Sequence, residues 1–405
     1  MVGLVEWRMF RTNPGRLQRN AFKESSVTVP HPIRGWTQKP NISFGFFHGY
    51  MPDTVEVSFN NFGKRDTEWR QEEKKLNEFR IGLFGDTYCA GYEQALHETA
   101  HIQLQKLLMP QNVGGKISVF NFSERNYSID QLYSLYKEEG QQFDLDLIIY
   151  CFNSNHPRRA ITFHEALKEK ELTKPVYKTQ TPDSLELTFP PEIRNNSDLV
   201  YLNENGVVTY ESARENCNPY RWLRNNSYVI NLVDEIVGGP VSLRLQRGAE
   251  PTSLRKNEHL AKPSPKPEHQ SELTNYQWTV TAEIIQEWCS LARENMSEMM
   301  IFSVLGEYNG RQKILKGEKN RRVLGNAFDQ IPERLRLPAI AQQNNVYYFD
   351  SFLYARDQEL DTEGCFINPG YGYLTPAGTR MFAELLSVAI KDGSRSFQTY
   401  QRAAV

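Results

Sequence analysis

Cysteine is scarce and scattered in this chain of 405 residues: five thiols, Cys89, Cys151, Cys217, Cys289 and Cys365, with no CxxC pair among them. An odd number at such wide spacing excludes a disulfide framework and a cysteine zinc site, and leaves free, mostly buried thiols in a reducing compartment as the expectation. Excess charge is lacking too. With 47 basic residues against 49 acidic ones the formal charge is −2 and the pI about 6.5, so no global field draws in nucleic acid or an anionic membrane surface. There is no window of about 18 apolar residues to span a bilayer, and the opening MVGLVEWRMFRTNPGRL has no apolar run of signal-peptide length. These absences point to a cytoplasmic protein, in which the Asn-x-Ser triplets at Asn41 and Asn295 carry no glycan. Histidine also stops early, with none after His269.

What is present is organised along the chain. The length suits one large α/β domain with additions or two ordinary domains. Residues 1–78 are rich in aromatics and turn formers and read as an N-terminal extension of short strands and loops. From Phe79 the pattern becomes strand–helix alternation. RIGLFG is a short apolar run ending in glycine, followed by the helical YEQALHETAHIQLQKLL. KISVFNF is a second strand, SIDQLYSLYKEEG a helix with Ser128 as N-cap and Gly140 as stop, and LDLIIYCF a third strand, apolar on both faces. Residues of about 157–275 are less regular, with one helical stretch, YRWLRNNSYVINLVDEIV, and a polar stretch over 254–270 that reads as a loop. Alternation then resumes through VTAEIIQEWCSLAREN, EMMIFSVLG, IPERLRLPAIAQQNN, VYYFDSF and TPAGTRMFAELLSVAIKD. No internal repeat is visible. The fold class is α/β, a three-layer α/β/α sandwich on a parallel sheet of about five strands, with the main domain over 79–390, an irregular insertion at about 157–275 and a tail over 391–405.

Four short blocks in this order carry a resemblance. They are Gly85-Asp86-Thr87 after the first strand, VFNFSERNYSIDQ around the second, IIYCFNSNHPRR after the third, and FINPGYGYLTPAGTRMFAELL before the last helix. With the extension's VPHPIRGWTQKPN and NNFGKRD they resemble the SGNH (GDSL-type) hydrolases over roughly residues 30–390. That resemblance implies a flavodoxin-like parallel sheet and an esterase or acyl-transfer ancestry. It also implies a catalytic set: a serine after Gly-Asp, a glycine N–H after the second strand, an asparagine amide after the third, and an Asp-x-x-His pair before the last helix. In such a set the imidazole takes the hydroxyl proton, the carboxylate orients it, and the N–H groups and amide stabilise the oxyanion.

Set against those slots, Thr87 stands for the serine, Asn126 for the glycine, Asn155 for the asparagine with His156 beside it, Gly370 for the aspartate and Tyr373 for the histidine. A threonine hydroxyl can attack, although its methyl stiffens χ1 and crowds the approach. Asparagine is among the few residues that tolerate a glycine-like backbone. Tyr373 is the decisive departure: a phenol with a pKa of about 10 stays protonated at neutral pH and cannot replace imidazole. The expectation is a divergent hydrolase-like protein without standard Ser/Asp/His turnover, keeping a cleft around Asp86, Thr87, Asn126, Asn155 and Tyr373 for an ester- or glycan-like ligand, or a scaffolding role. No cofactor and no metal are implied.

Two enzyme-class alternatives stand beside it. In one, His156 turns toward Thr87 and serves as a non-standard base. In the other, His97-Glu98-x-x-His101 is a zinc motif with two histidines on one helix face, Glu98 as base and Glu124 as a nominated third ligand. Against the zinc reading, Leu96, Ala100, Leu104 and Leu107 form that helix's core stripe and leave the histidines at its edge. Arg158 and Arg159 lie where α/β folds bind ligands and could hold an anionic group. Cys89 has nothing near it in sequence to lower its pKa and reads as a buried, inert thiol. Trp36, Trp69, Trp222, Trp278 and Trp288 read as packing residues.

Overall fold

The computed structural model describes residues 27–46, 54–70, 73–109, 115–164, 173–179, 184–191, 198–212, 272–304, 332–361, 364–366 and 374–403. The helix expected over YRWLRNNSYVINLVDEIV, the 254–270 stretch, Trp222, Gly370 and Tyr373 lie outside these residues.

Two antiparallel hairpins, β1 (Thr28–His31) with β2 (Gly35–Gln38) and β3 (Ser43–Phe46) with β4 (Val55–Ser58), precede the main sheet. That sheet is built from β5 (Glu78–Phe84), β6 (Lys116–Asn121), β7 (Leu147–Phe152), β13 (Glu298–Ser303) and β14 (Tyr347–Asp350). All four pairings are parallel and the spatial order is β14-β13-β7-β5-β6. Numbered by appearance this is 2-1-3-4-5, the flavodoxin-like order that the resemblance implies. Between β7 and β13 come the short strands β8 (Thr162–His164), β9 (Val176–Lys178), β10 (Glu186–Thr188), β11 (Asp198–Leu202) and β12 (Val208–Ser212), paired antiparallel among themselves.

The helices are α1 (Thr87–Ala90), α2 (Ala100–Leu108), α3 (Ile129–Glu138), α4 (His156–Ala160), α5 (Glu272–Glu294), α6 (Pro332–Gln343), α7 (Ser351–Asp357), α8 (Pro376–Gly393) and α9 (Arg395–Ala403). Alternation along the strands divides the core. Ile81 and Leu83 of β5 pack with Leu104 of α2 and Leu386 of α8, while Phe84 packs with Leu132 of α3 and Trp288 of α5 on the other face. Every residue of β5 and β7 is buried, as strands covered on both faces require. The outer edge of β6 is closed by side chains: Gln105 Oε1 accepts the Val119 N–H at 3.0 Å and Asp66 Oδ2 accepts the Asn121 N–H at 3.0 Å. Those bonds satisfy an edge that would otherwise be open to pairing.

Three local expectations change. The helix expected from Tyr92 to Leu108 does not run through: Gly91, at a left-handed φ of 65°, ends α1, a turn and a 3-10 segment at Leu96–Glu98 follow, and extended backbone at Thr99 (ψ 153°) separates that segment from α2, which starts at Ala100. Restarting at Ala100 re-phases the stripe, so Leu108 is 2% exposed and Leu107, expected inside, is 41% exposed. The strand VYYFDSF stops at Asp350, whose Oδ1 accepts the N–H groups of Phe352 and Leu353, both at 3.0 Å, and starts α7. Within 391–405, α9 docks Phe397 against Phe79 with ring centroids 5.3 Å apart.

Candidate functional site

β5 delivers the chain to a sharp turn at Gly85. A Cβ there would meet Cys89 Sγ at 2.5 Å and Cys151 Cβ at 3.1 Å, so only glycine fits. The next residue, Asp86, is 3% exposed. Its Oδ1 accepts the Tyr88 N–H at 3.3 Å, which caps α1, and its Oδ2 accepts Asn153 Nδ2 at 2.9 Å. Asp86 was expected to face a ligand; its carboxylate is instead consumed in holding α1, because a short helix on a turn needs its N–H groups answered.

Thr87 opens α1 and is half-buried. Among the described residues its hydroxyl has one hydrogen-bond partner, the N–H of Asn126, which donates to Oγ1 at 3.4 Å. Asn126 has φ 63°, the left-handed backbone that a glycine in this slot supplies without strain and that asparagine tolerates. That conformation directs the Asn126 N–H at Thr87 Oγ1. Cys89, two residues on, is fully enclosed, and burial pushes its thiol well above the ordinary range, with Cys151 and Asp86 adding to the effect.

The third block is arranged differently from the sequence expectation. Asn153, not Asn155, reaches Asp86, and its Oδ1 accepts the Asn155 N–H at 2.9 Å. Asn155 occupies the N-cap position of α4, whose first residue, His156, is fully buried. Tyr150 Oη lies 2.8 Å from His156 Nδ1, and the two rings stack with centroids 5.7 Å apart. The other ring nitrogen faces Asp86 Oδ2 at 3.8 Å. His156 therefore sits beneath the loop, between Tyr150 and Asp86, and the structure does not bring it to the Thr87 hydroxyl. The cause is helical geometry: as first residue of α4 it turns into the apolar layer with Phe152. Arg158 and Arg159 follow on α4, both partly exposed.

The turns that flank the Thr87 helix are tied down from the extension, by residues of the NNFGKRD stretch whose burial and partners the sequence did not reveal. Lys64, Arg65 and Asp66 are consecutive, charged and at most 6% exposed. Lys64 Nζ meets Glu124 Oε1 at 2.8 Å, next to the Arg125-Asn126 turn. Burial lifts the Glu124 carboxyl above its usual range, and Lys64 draws it back only in part. Arg65 donates to the carbonyls of Gly91 at 2.8 Å and Gln94 at 2.5 Å, holding the turn after α1. Asp66 takes the Asn121 N–H and stands 3.1 Å from His101 Nε2. Burial alone would raise Asp66, but His101 and the Asn121 N–H outweigh it and hold the carboxyl low. Three consecutive charges beside the apolar Phe62 were the available signal, since such charges are buried only when each has a partner.

The same contacts dissolve the zinc motif. His97 is exposed on the 3-10 segment, whereas His101 is buried in α2 against Asp66, so the two do not share a helix face. Glu124 is taken by Lys64. Among the described residues no group of three or more His, Cys, Asp or Glu side chains is placed to hold a metal ion. No described helix is long and apolar enough to cross a membrane.

No family model and no curated protein matches the chain. Solved structures similar to it include a GDSL-like lipase of Bacteroides thetaiotaomicron, at 11% identity and a TM-score of 0.35 over 83% of this chain and 93% of that one. An acetyl xylan esterase is similar at 9% identity and a TM-score of 0.36, over 77% of this chain and all of that one.

Proposed function

We propose that this protein is a divergent SGNH-hydrolase-like protein that binds a small ester- or glycan-like ligand, or an assembly partner, at the Thr87 cleft without Ser/Asp/His turnover. Open α/β sheets bind ligands outside the carboxyl ends of their strands, where the strand order reverses. Here that point lies between β5 and β7, and Thr87 follows the first while Asn153 and Asn155 follow the second. The observation that carries the reading is the hydroxyl's surroundings: Thr87 Oγ1 meets an N–H donor, and the neighbouring imidazole, His156, is buried below, with Nδ1 2.8 Å from the Tyr150 hydroxyl and Nε2 3.8 Å from Asp86 Oδ2. A hydroxyl without a base is a weak nucleophile, while N–H groups aimed at its position still favour an electronegative oxygen. In the sequence, the fourth block carries Tyr373 at the position where the resemblance puts the base.

The test is incubation with a fluorophosphonate probe, followed by intact-mass measurement and a panel of short acyl esters. The expected outcome is an unmodified protein and no hydrolysis above that of Thr87→Ala. A stoichiometric adduct on Thr87, or hydrolysis abolished by both Thr87→Ala and His156→Ala, overturns the reading.

A further inference from the structure

A half-open cavity of about 660 Å³ lies at the end of the sheet opposite Thr87. It opens where β13 and β14 begin, with Glu298 and Met299 of the first strand and Tyr347 of the second in its lining. Thr87, Asn153 and Asn155 instead follow the carboxyl ends of β5 and β7. Because the strands are parallel and Glu298 stands beside Leu147, the first residue of β7, the length of a strand separates the two places. The floor is apolar. Cys289, Met299 and Ala341 are at most 5% exposed, and Cys289 Sγ lies 3.5 Å from Met299 Sδ. Gly393 lets the end of α8 rest on the Tyr347 ring, since a Cβ there would stand 2.0 Å from Cδ1.

The rim is cationic. Arg293 in the last turn of α5 and the exposed Arg395 at the start of α9 both line the cavity. The acid in the lining, Glu298, is already committed. Its carboxylate accepts Ser394 Oγ at 2.7 Å, Ser396 Oγ at 2.6 Å, and the N–H groups of Ser396 at 2.9 Å and Arg395 at 3.1 Å. Burial alone would lift Glu298, but the bonds from Ser396, Ser394 and Arg395 outweigh it and hold the carboxyl low. Glu298 is thereby the anion that caps α9, and its charge is spent there. Arg293 gives one Nη to the Asn344 carbonyl at the end of α6, which leaves most of its N–H donors for another acceptor. The carbonyl ends of α5 and α6 contribute only partial negative charge here, less than two full guanidinium charges.

A concave site of roughly 300–1,000 Å³ with an apolar floor and a few polar groups that fix orientation is the form taken by small-molecule sites. We infer that this cavity binds a small organic carboxylate with an apolar aromatic or branched body. The body lies on Met299, Ala341 and Tyr347, and Arg293 and Arg395 hold the carboxylate, a group whose geometry a guanidinium fork matches. The site is independent of the Thr87 cleft.

Isothermal titration of the full chain with naphthylacetate, and with its neutral amide, tests this. The expected result is saturable binding of the acid, about tenfold or more tighter than that of the amide, because hydrogen bonds to a charged group contribute that much. The double variant Arg293→Gln/Arg395→Gln should bring the acid to the level of the amide. Thr87→Ala should leave both affinities unchanged, which distinguishes this cavity from the Thr87 cleft. No saturable binding at millimolar acid, equal affinity for acid and amide, or loss of binding in Thr87→Ala overturns the proposal. Where the double variant does not fold, Arg395→Gln on the exposed side chain decides alone: an unchanged affinity for the acid counts against the site.

Discussion

Replacing Lys64 by methionine removes the cation from a pair in which the lysine and Glu124 side chains are 0% and 2% exposed, at 2.8 Å. Glu124 would then be a buried carboxylate without its one side-chain partner. Breaking a buried pair by deleting one member costs about 3–5 kcal/mol, or roughly two to four orders of magnitude in the folding equilibrium. The double variant Lys64→Met/Glu124→Leu removes both charges and fills the space with apolar atoms. It should recover much of that loss, because the desolvation of two ions disappears with their attraction, while Glu139, 3.6 Å from Lys64 Nζ, keeps Arg34 as its partner. The pH dependence follows from the direction of the Glu124 shift. Its folded pKa is raised by burial above the ordinary 4.5, and loss of Lys64 raises it further. A carboxyl raised in the folded state contributes stability that is present below its unfolded value and is lost as pH rises through the folded one. The deficit of Lys64→Met relative to wild type should therefore be smallest near pH 4.5 and widen toward neutrality. Urea unfolding across that range, on wild type and both variants, measures it. A single variant within 1 kcal/mol of wild type at neutral pH, or a double variant as unstable as the single one, refutes the view of this pair as a clamp on the Asn126 turn.

Other outcomes follow from separate parts of the molecule. Asn126→Gly should unfold within about 1 kcal/mol of wild type, whereas Asn126→Val should lose about 1–2 kcal/mol or more, because a β-branched residue resists the left-handed region; thermal denaturation compares them. Glu78, held down to about 2 against its own burial by Lys116, Ser118 and Arg80, contributes stability present above 4.5 and lost as pH falls toward 2. Glu78→Gln should flatten the acid limb of the stability curve over that window. Phe397→Ala should cost about 3–5 kcal/mol, the penalty for truncating a fully buried aromatic, read as a lower urea midpoint. A loss under 1 kcal/mol would mean that α9 is not anchored through this ring. Cys89 should resist alkylation at pH 8 until the protein is unfolded, since burial keeps its thiol protonated; rapid labelling of the native protein refutes this.

The layered parallel sheet was legible in the sequence because strands buried on both faces must be apolar throughout and the helices between them must carry an apolar stripe. LIIYCF of β7 and KISVFN of β6 needed no tertiary information, nor did the helix from Ser128 to Gly140. A residue tolerant of positive φ at Asn126 was readable too, because backbone conformation restricts residue type locally. What only the tertiary structure decided is where side chains with several possible partners turn. His156 could have faced Thr87 by sequence distance, but α4 places it under the loop against Tyr150 and Asp86. Extended backbone at Thr99 divides a helix whose periodicity looked continuous, which separates His97 from His101. Lys64, Arg65 and Asp66 stood in the NNFGKRD stretch of the resemblance without their partners being legible, since charge alone does not reveal which oxygen or nitrogen waits for it. Each reaches a partner at least 26 residues away along the chain, and long-range pairing of buried charges follows from the assembled fold, not from local pattern.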